Sequence, residues 1–357
     1  MYLRGFQRLS SFLFLSSIIS GCVFIPQGRE YVPPPERPSE VEAYYSQKDS
    51  FLNFEEELIS SGEITVKRIY IATKIGPITV DYFQRGNAHD ELIFVLPILG
   101  GKNTLADYFA KYFAERGYDT AVVHRSSDFK DPENFPRIEQ VLRENVIRDR
   151  IAIDFFEEVY QKKRFGTFGL SRGAINAAIT AGVDKRLKYN VLAMGGSDLS
   201  ELFEDSDEGG IERYRARVKS YFELTDKNFF DYLDREVKTD PKYVAKYIDA
   251  ENTLLFLSLF DRSVPLKYGA RLRKRIGRPE TVVLLSGHYT AIAYTQLVSV
   301  GNDDVSIPLF PFDYVETEAL AFYNKKFERQ SFSFKAGVYK VLQAPVSYVI
   351  KLFDAIM

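Results

Sequence analysis

The sequence predicts an α/β fold, a mostly parallel central sheet flanked by helices, and three observations carry that prediction. Beyond residue 60, β-prone runs alternate with helical patterns of about 11 to 25 residues, the order in which crossover helices join parallel strands. Residues 92–96 are apolar without interruption, as a strand covered on both faces requires. Apolar residues make up 45% of the 357 and aromatic ones 15%, enough to fill a core on both sides of a sheet.

Each element has its own reason. Residues 64–71 and 78–83, separated by Gly76 and Pro77, read as an opening hairpin, and 92–96 as the first buried strand. Asn103 offers a cap for a helix through about Arg116, in which Leu105, Tyr108, Phe109, Tyr112 and Phe113 recur at helical spacing before Gly117 stops it. Residues 120–123 form the next strand. A long helix over 138–160 carries Val141, Leu142, Ile147, Ile151, Phe155 and Val159 along one side. Residues 164–168 are a strand with a helix after Ser171, and 189–194 a strand ending in Gly195 and Gly196. The rhythm breaks over 199–250, where amphipathic, charge-laced helical patterns, among them 211–224 and 243–248, read as an insertion. Strands resume at 253–260 and 281–285 with a helix over 266–276 between them. Residues 316–327 predict another helix. Residues 335–357 are amphipathic but broken by Pro345, suited to docking on the domain's own surface or, alternatively, to lying on a membrane.

The N-terminus reads differently. Arg4 and Arg8 precede an apolar stretch, residues 9–19, too short to span a bilayer but of signal-peptide length. It ends in Ile19, Ser20, Gly21, Cys22, and Cys22 is the only cysteine of the chain. This run resembles the lipobox of bacterial lipoproteins. The resemblance implies a signal peptide over 1–21, lipidation of Cys22, and anchoring in the cell envelope, with Val23 rather than Asp after the cysteine favouring the outer membrane. Acyl chains at about 0.8 kcal/mol per buried methylene would hold it there. Pro33, Pro34, Pro35 and Pro38 predict a stiff, extended linker over 22–60. The main α/β body would then span 61–300, with a helical extension over 301–357.

Composition excludes several function classes. Lys and Arg total 47 against 49 for Asp and Glu, a net charge of −2 that gives no general attraction to nucleic acid. A single cysteine forms no intramolecular disulfide, and His89, His124 and His288 are too scattered for a local metal motif. The run Gly100, Gly101, Lys102, Asn103 falls short of a phosphate loop, with Leu96 where the first glycine belongs and Asn103 in place of Ser or Thr. No metal or organic cofactor is expected.

The chemistry points to Gly169, Leu170, Ser171, Arg172, Gly173, a G-x-S-x-G run between a strand and a helix. Such a turn is abrupt enough to project the serine oxygen from the strand end, and its glycines avoid collisions there. A serine hydroxyl needs a base and a carboxylate that orients the base. His288, after the 281–285 strand, is the only histidine downstream of Ser171; Asp261 follows the 253–260 strand, and Asp198, after the preceding strand, competes with it. Asp261 also stands where it can cap the helix starting near Pro265. His124, at a strand end, has an ordinary packing or hydrogen-bonding role as its simpler reading.

Over roughly residues 61–300 this arrangement resembles the α/β-hydrolase superfamily: elbow at Ser171, acid at Asp261, base at His288. The resemblance implies that Ser171 attacks an acyl carbon, His288 relays the proton and Asp261 fixes the imidazole. It also implies an oxyanion hole from the backbone N–H groups of Arg172 and Leu99, within Pro97, Ile98, Leu99, Gly100, Gly101, and a cap formed by the 199–250 insertion. Phe222, Phe229, Phe230 and Tyr232 are candidates for an acyl pocket there or, more simply, for packing; Glu201, Glu204, Asp205, Asp207 and Glu208 read as a solvated acidic loop. The expected function is a serine hydrolase cleaving carboxylic esters of small-molecule or lipid-like acyl substrates. A peptidase, a thioesterase, or a non-catalytic envelope binding protein on the same scaffold are the alternatives.

Overall fold

The computed structural model describes residues 22–28, 31–46, 51–86, 89–98, 104–125, 128–295, 313–329 and 337. The signal-like segment, Leu99, Asn103 and nearly all of the 335–357 amphipathic stretch lie outside the described residues.

Ten strands form one sheet: β1 (Cys22–Ile25), β2 (Asn53–Ser60), β3 (Thr65–Ala72), β4 (Ile78–Gln84), β5 (Glu91–Leu96), β6 (Thr120–Val123), β7 (Arg164–Leu170), β8 (Leu187–Ala193), β9 (Thr253–Ser258) and β10 (Glu280–Leu284). Their spatial order is β1-β10-β9-β8-β7-β5-β6-β4-β3-β2. The block from β10 to β6 is parallel, while β4, β3, β2 and β1 pair antiparallel at the two sides. The strand periodicity of two divides each central strand between two cores. Leu92, Phe94 and Leu96 of β5 face one side with α3 (Ile138–Glu158), α4 (Arg172–Val183) and α9 (Leu266–Ile276). Ile93 and Val95 face the other with α2 (Thr104–Glu115) and α10 (Tyr314–Lys326). A third core joins the outer side of α4 to the insertion, whose helices are α5 (Leu199–Asp205), α6 (Gly209–Tyr221), α7 (Asp226–Glu236) and the short α8 (Pro241–Val244).

Three expectations about domain limits need correction. The 22–60 segment is not a projecting linker. Cys22–Ile25 pairs with β10 at the sheet edge, Arg37 Nε donates to the Gly182 carbonyl at 2.7 Å, and α1 (Ser39–Tyr44) leads to a buried Tyr45 whose hydroxyl meets Thr239 Oγ1 at 3.2 Å. The prolines do keep residues 31–38 out of helix, but an extended segment with apolar and aromatic neighbours gains by lying along the domain. The sheet also begins before residue 61: β2 has all eight residues exposed, so no alternation marks it, and its pairing with β3 alone defines it. Finally, α10 is part of the main core rather than an extension. Tyr323 is fully buried and donates to the Thr167 carbonyl at 2.7 Å in the middle of β7.

Candidate active site

The site is assembled at the carboxyl ends of β5, β7, β9 and β10, where an open parallel sheet presents its loops. Between β7 and α4 the backbone of Ser171 stands at φ +54° and ψ −122°, a left-handed conformation that costs a non-glycine residue on the order of 1–3 kcal/mol. Its N–H donates to the Ala193 carbonyl of β8 at 2.7 Å, and its own carbonyl accepts from Ala174 N at 2.9 Å to start the helix. Both glycines of the motif are required by space. A Cβ on Gly169 would lie 2.6 Å from Ala174 N, and one on Gly173 would lie 3.1 Å from the Leu96 carbonyl carbon and closer still to its oxygen. The helix N-terminus therefore rests directly on the ends of β5 and β7, and the serine has one place to go.

Ser171 Oγ is 2.8 Å from His288 Nε2, and His288 Nδ1 is 2.7 Å from Asp261 Oδ2. Backbone pairing beyond the strands sets this meeting: Leu259 N donates to the Leu284 carbonyl and Phe260 N to the Ser286 carbonyl, both at 2.9 Å, tying the loop of Asp261 to the loop of His288. The buried Asp261 carboxylate performs both tasks considered for it, with Oδ1 accepting from Val264 N at 2.8 Å ahead of α9 while Oδ2 holds the imidazole. Asp198 does not compete. Arg275 Nη2 donates to its Oδ1 at 2.8 Å, Ser197 Oγ to its Oδ2 at 2.8 Å, and this ion pair holds its carboxyl below the usual range against the upward push of burial. His124 Nε2 lies 2.7 Å from Asp81, which also takes Arg68, so it serves a separate polar cluster.

Arg172 opens α4, and the first N–H groups of a helix have no acceptor one turn back. That leaves its N–H available to a developing oxyanion beside Ser171. The second expected donor, Leu99, falls outside the described residues, one position past Ile98, which lines the same cavity.

Ser171 and His288 open on a cavity of about 920 Å³ with mostly apolar walls. The insertion covers it, but not through the aromatic residues considered above. Phe229 is fully buried and stacks on Phe135 at 5.0 Å, and Tyr232 packs on the same ring at 4.7 Å, so these side chains build the insertion's own core. Leu199, Phe203, Ile211 and Tyr214 line the cavity instead. The acidic run is likewise not a free loop. Asp205 pairs with Lys267, and Glu208 reaches the cavity wall, accepting from Tyr289 and, at 3.0 Å, from Ser263. Burial pushes the Glu208 carboxyl up, but the hydrogen bonds from Tyr289, Ser263 and Gly210 N outweigh it and bring it below its ordinary value. Nothing in the sequence separates Glu208 from its exposed acidic neighbours.

No protein-family model and no curated protein matches the sequence. Solved structures do match the fold. Acetyl xylan esterase from Paenibacillus sp. R4 aligns at 17% identity over 72% of this chain and 92% of its own, with a TM-score of 0.52. Acetyl xylan esterase 1 from Thermoanaerobacterium sp. JW/SL YS485 aligns at 16% over 73% and 92%, with a TM-score of 0.53. The chain has the α/β-hydrolase fold. The acylaminoacyl peptidase of Pyrococcus horikoshii, of which the match spans 52%, has the same fold over 81% of this chain at 15% identity, with a TM-score of 0.51. Within that fold, the helices of 199–250 occupy the expected cap position after β8.

Proposed function

We propose that the chain is a serine hydrolase that cleaves carboxylic esters through an acyl-enzyme intermediate. The observation that carries this reading is the continuous hydrogen-bonded line from Ser171 Oγ through His288 to Asp261 at the wall of an apolar cavity. Ser171 Oγ bonds to the acyl carbon while its proton passes to His288 Nε2. Asp261 accepts from Nδ1–H and stabilises the imidazolium. The tetrahedral oxyanion is met by the Arg172 N–H and a second donor assigned to Leu99. As the acyl–oxygen bond breaks, Nε2 returns the proton to the departing alcohol, and a water then opens the acyl-enzyme by the same route.

A fluorophosphonate probe tests this: it should label the protein at Ser171, and Ser171→Ala should abolish labelling and p-nitrophenyl ester hydrolysis together. An intact, folded protein that fails to react would favour a binding protein instead. Faster cleavage of an amide than of the matched ester would make it a peptidase.

We further propose envelope anchoring through a lipid on Cys22, at the outer membrane in preference to the inner. Because β1 begins at that residue, the anchored domain would sit directly on the bilayer without a leash. Palmitate incorporation in a bacterial host, lost in Cys22→Ser, is the expected result.

A further inference from the structure

The Arg172 side chain has no role in the chemistry just described, and its surroundings are unusual for an arginine. It lines the cavity beside Ser171, with its guanidinium carbon 4.2 Å above the Phe129 ring. Among the described residues no carboxylate pairs with it. Arg125, buried nearby, is by contrast held by Asp149 at 2.6 Å. The group is enclosed by protein yet keeps some surface, because that surface is cavity wall. Burial first, and the neighbouring Arg125 second, lower its pKa to about 10, which leaves it a cation at neutral pH. The rest of the wall does not neutralise it. Among the described residues Arg213 and Arg217 also line the cavity, and the one carboxylate there, that of Glu208, already accepts from Tyr289, Ser263 and Gly210 N.

An enclosed cation without a counter-ion is expensive to keep, and a ligand that supplies the negative charge relieves that cost. We infer that the substrate is a half-ester: a molecule with an apolar body, the ester to be cleaved, and a free carboxylate that Arg172 binds inside the pocket. A planar guanidinium matches a carboxylate through two parallel N–H···O bonds, and the exposed Arg213 and Arg217 at the cavity add attraction for an anion on its way in. This deepens the ester-hydrolase reading and rests on it for what becomes of the bound ester.

The test measures binding and labelling separately. In full-length Ser171→Ala, isothermal titration should find monomethyl suberate bound at least about tenfold more tightly than dimethyl suberate, the margin of one charge-assisted hydrogen-bonded pair. Adding Arg172→Gln should bring the two ligands within about twofold, and Arg172→Lys should keep part of the preference. Equal binding of the two esters, or no binding of the half-ester, overturns the inference even if Ser171 labels normally with fluorophosphonate. Failure to label with the binding preference intact would overturn the hydrolase reading and leave the Arg172 assignment standing.

Discussion

Gly169→Ala is the sharpest single test of how the serine is presented. The added Cβ would stand 2.5 Å from the Gly173 carbonyl carbon and 2.6 Å from Ala174 N, nearly 1 Å inside ordinary contact, and both neighbours are backbone at the start of α4. No side chain can rotate away, so the helix N-terminus must lift from the end of β7. Overpacking of this kind costs about 3 kcal/mol, the upper part of the usual range, because the strain falls on main chain. For a domain of this size that corresponds to a loss of roughly 6–12 °C in Tm. The same lift moves Ser171 relative to His288, and a displacement of about 1 Å at a reacting atom lowers ester turnover on the order of 10²-fold. Thermal unfolding and p-nitrophenyl ester hydrolysis measure the two effects. Gly62→Ala, where a Cβ would meet nothing within 4 Å, is the control and should change neither. A Gly169→Ala protein that melts within 1–2 °C of the parent (about 0.5 kcal/mol) and hydrolyses normally would refute the argument that the two glycines force the turn.

Three further outcomes follow from the geometry. Asp261→Asn keeps the side-chain shape but loses the carboxylate facing His288 Nδ1, and should lower kcat on the order of 10³–10⁴-fold with little change in Tm; Asp198→Asn, whose carboxylate serves Arg275, should do the reverse. Lys162 and Asp119 form a fully buried pair to which Tyr82 also donates at 2.6 Å, so Lys162→Met should cost about 3–5 kcal/mol in urea unfolding, and the double variant with Asp119→Asn should recover much of it. Burial, with Asp81 nearby, raises the Asp107 carboxyl from 3.8 to about 6. The folded state therefore binds that proton more tightly than the unfolded chain, and its contribution to stability, full below about pH 4, is lost as pH rises through 6. Asp107→Asn should accordingly raise the unfolding free energy in urea at pH 8, by on the order of 1 kcal/mol after allowing for partial exposure, and give no gain at pH 4.

What the sequence disclosed about this molecule follows from what each signal physically reports. The meeting of Ser171, Asp261 and His288 was legible because the chemistry restricts each to a loop after a strand, and one histidine alone follows the serine. Central strands were legible because burial on two faces leaves an uninterrupted apolar run, as in β5. The edges were not. All of β2 is exposed and it joins the sheet through backbone hydrogen bonds, which any residue supplies, while the apolar start of β1 merges into a signal-like segment. In the cap, helical periodicity reports that a face is covered but not by what. Phe229 therefore reads more simply as packing than as ligand contact, but without a partner that could be named, and it is Phe135, nearly a hundred residues earlier, that covers it. Charge is the extreme case. With 47 basic residues against 49 acidic ones the chain as a whole is nearly balanced, and only the folded arrangement sets Arg125 on Asp149 while leaving Arg172 facing the cavity. That Arg172 has no carboxylate partner among the described residues is a property of distances, which no local pattern of residues encodes.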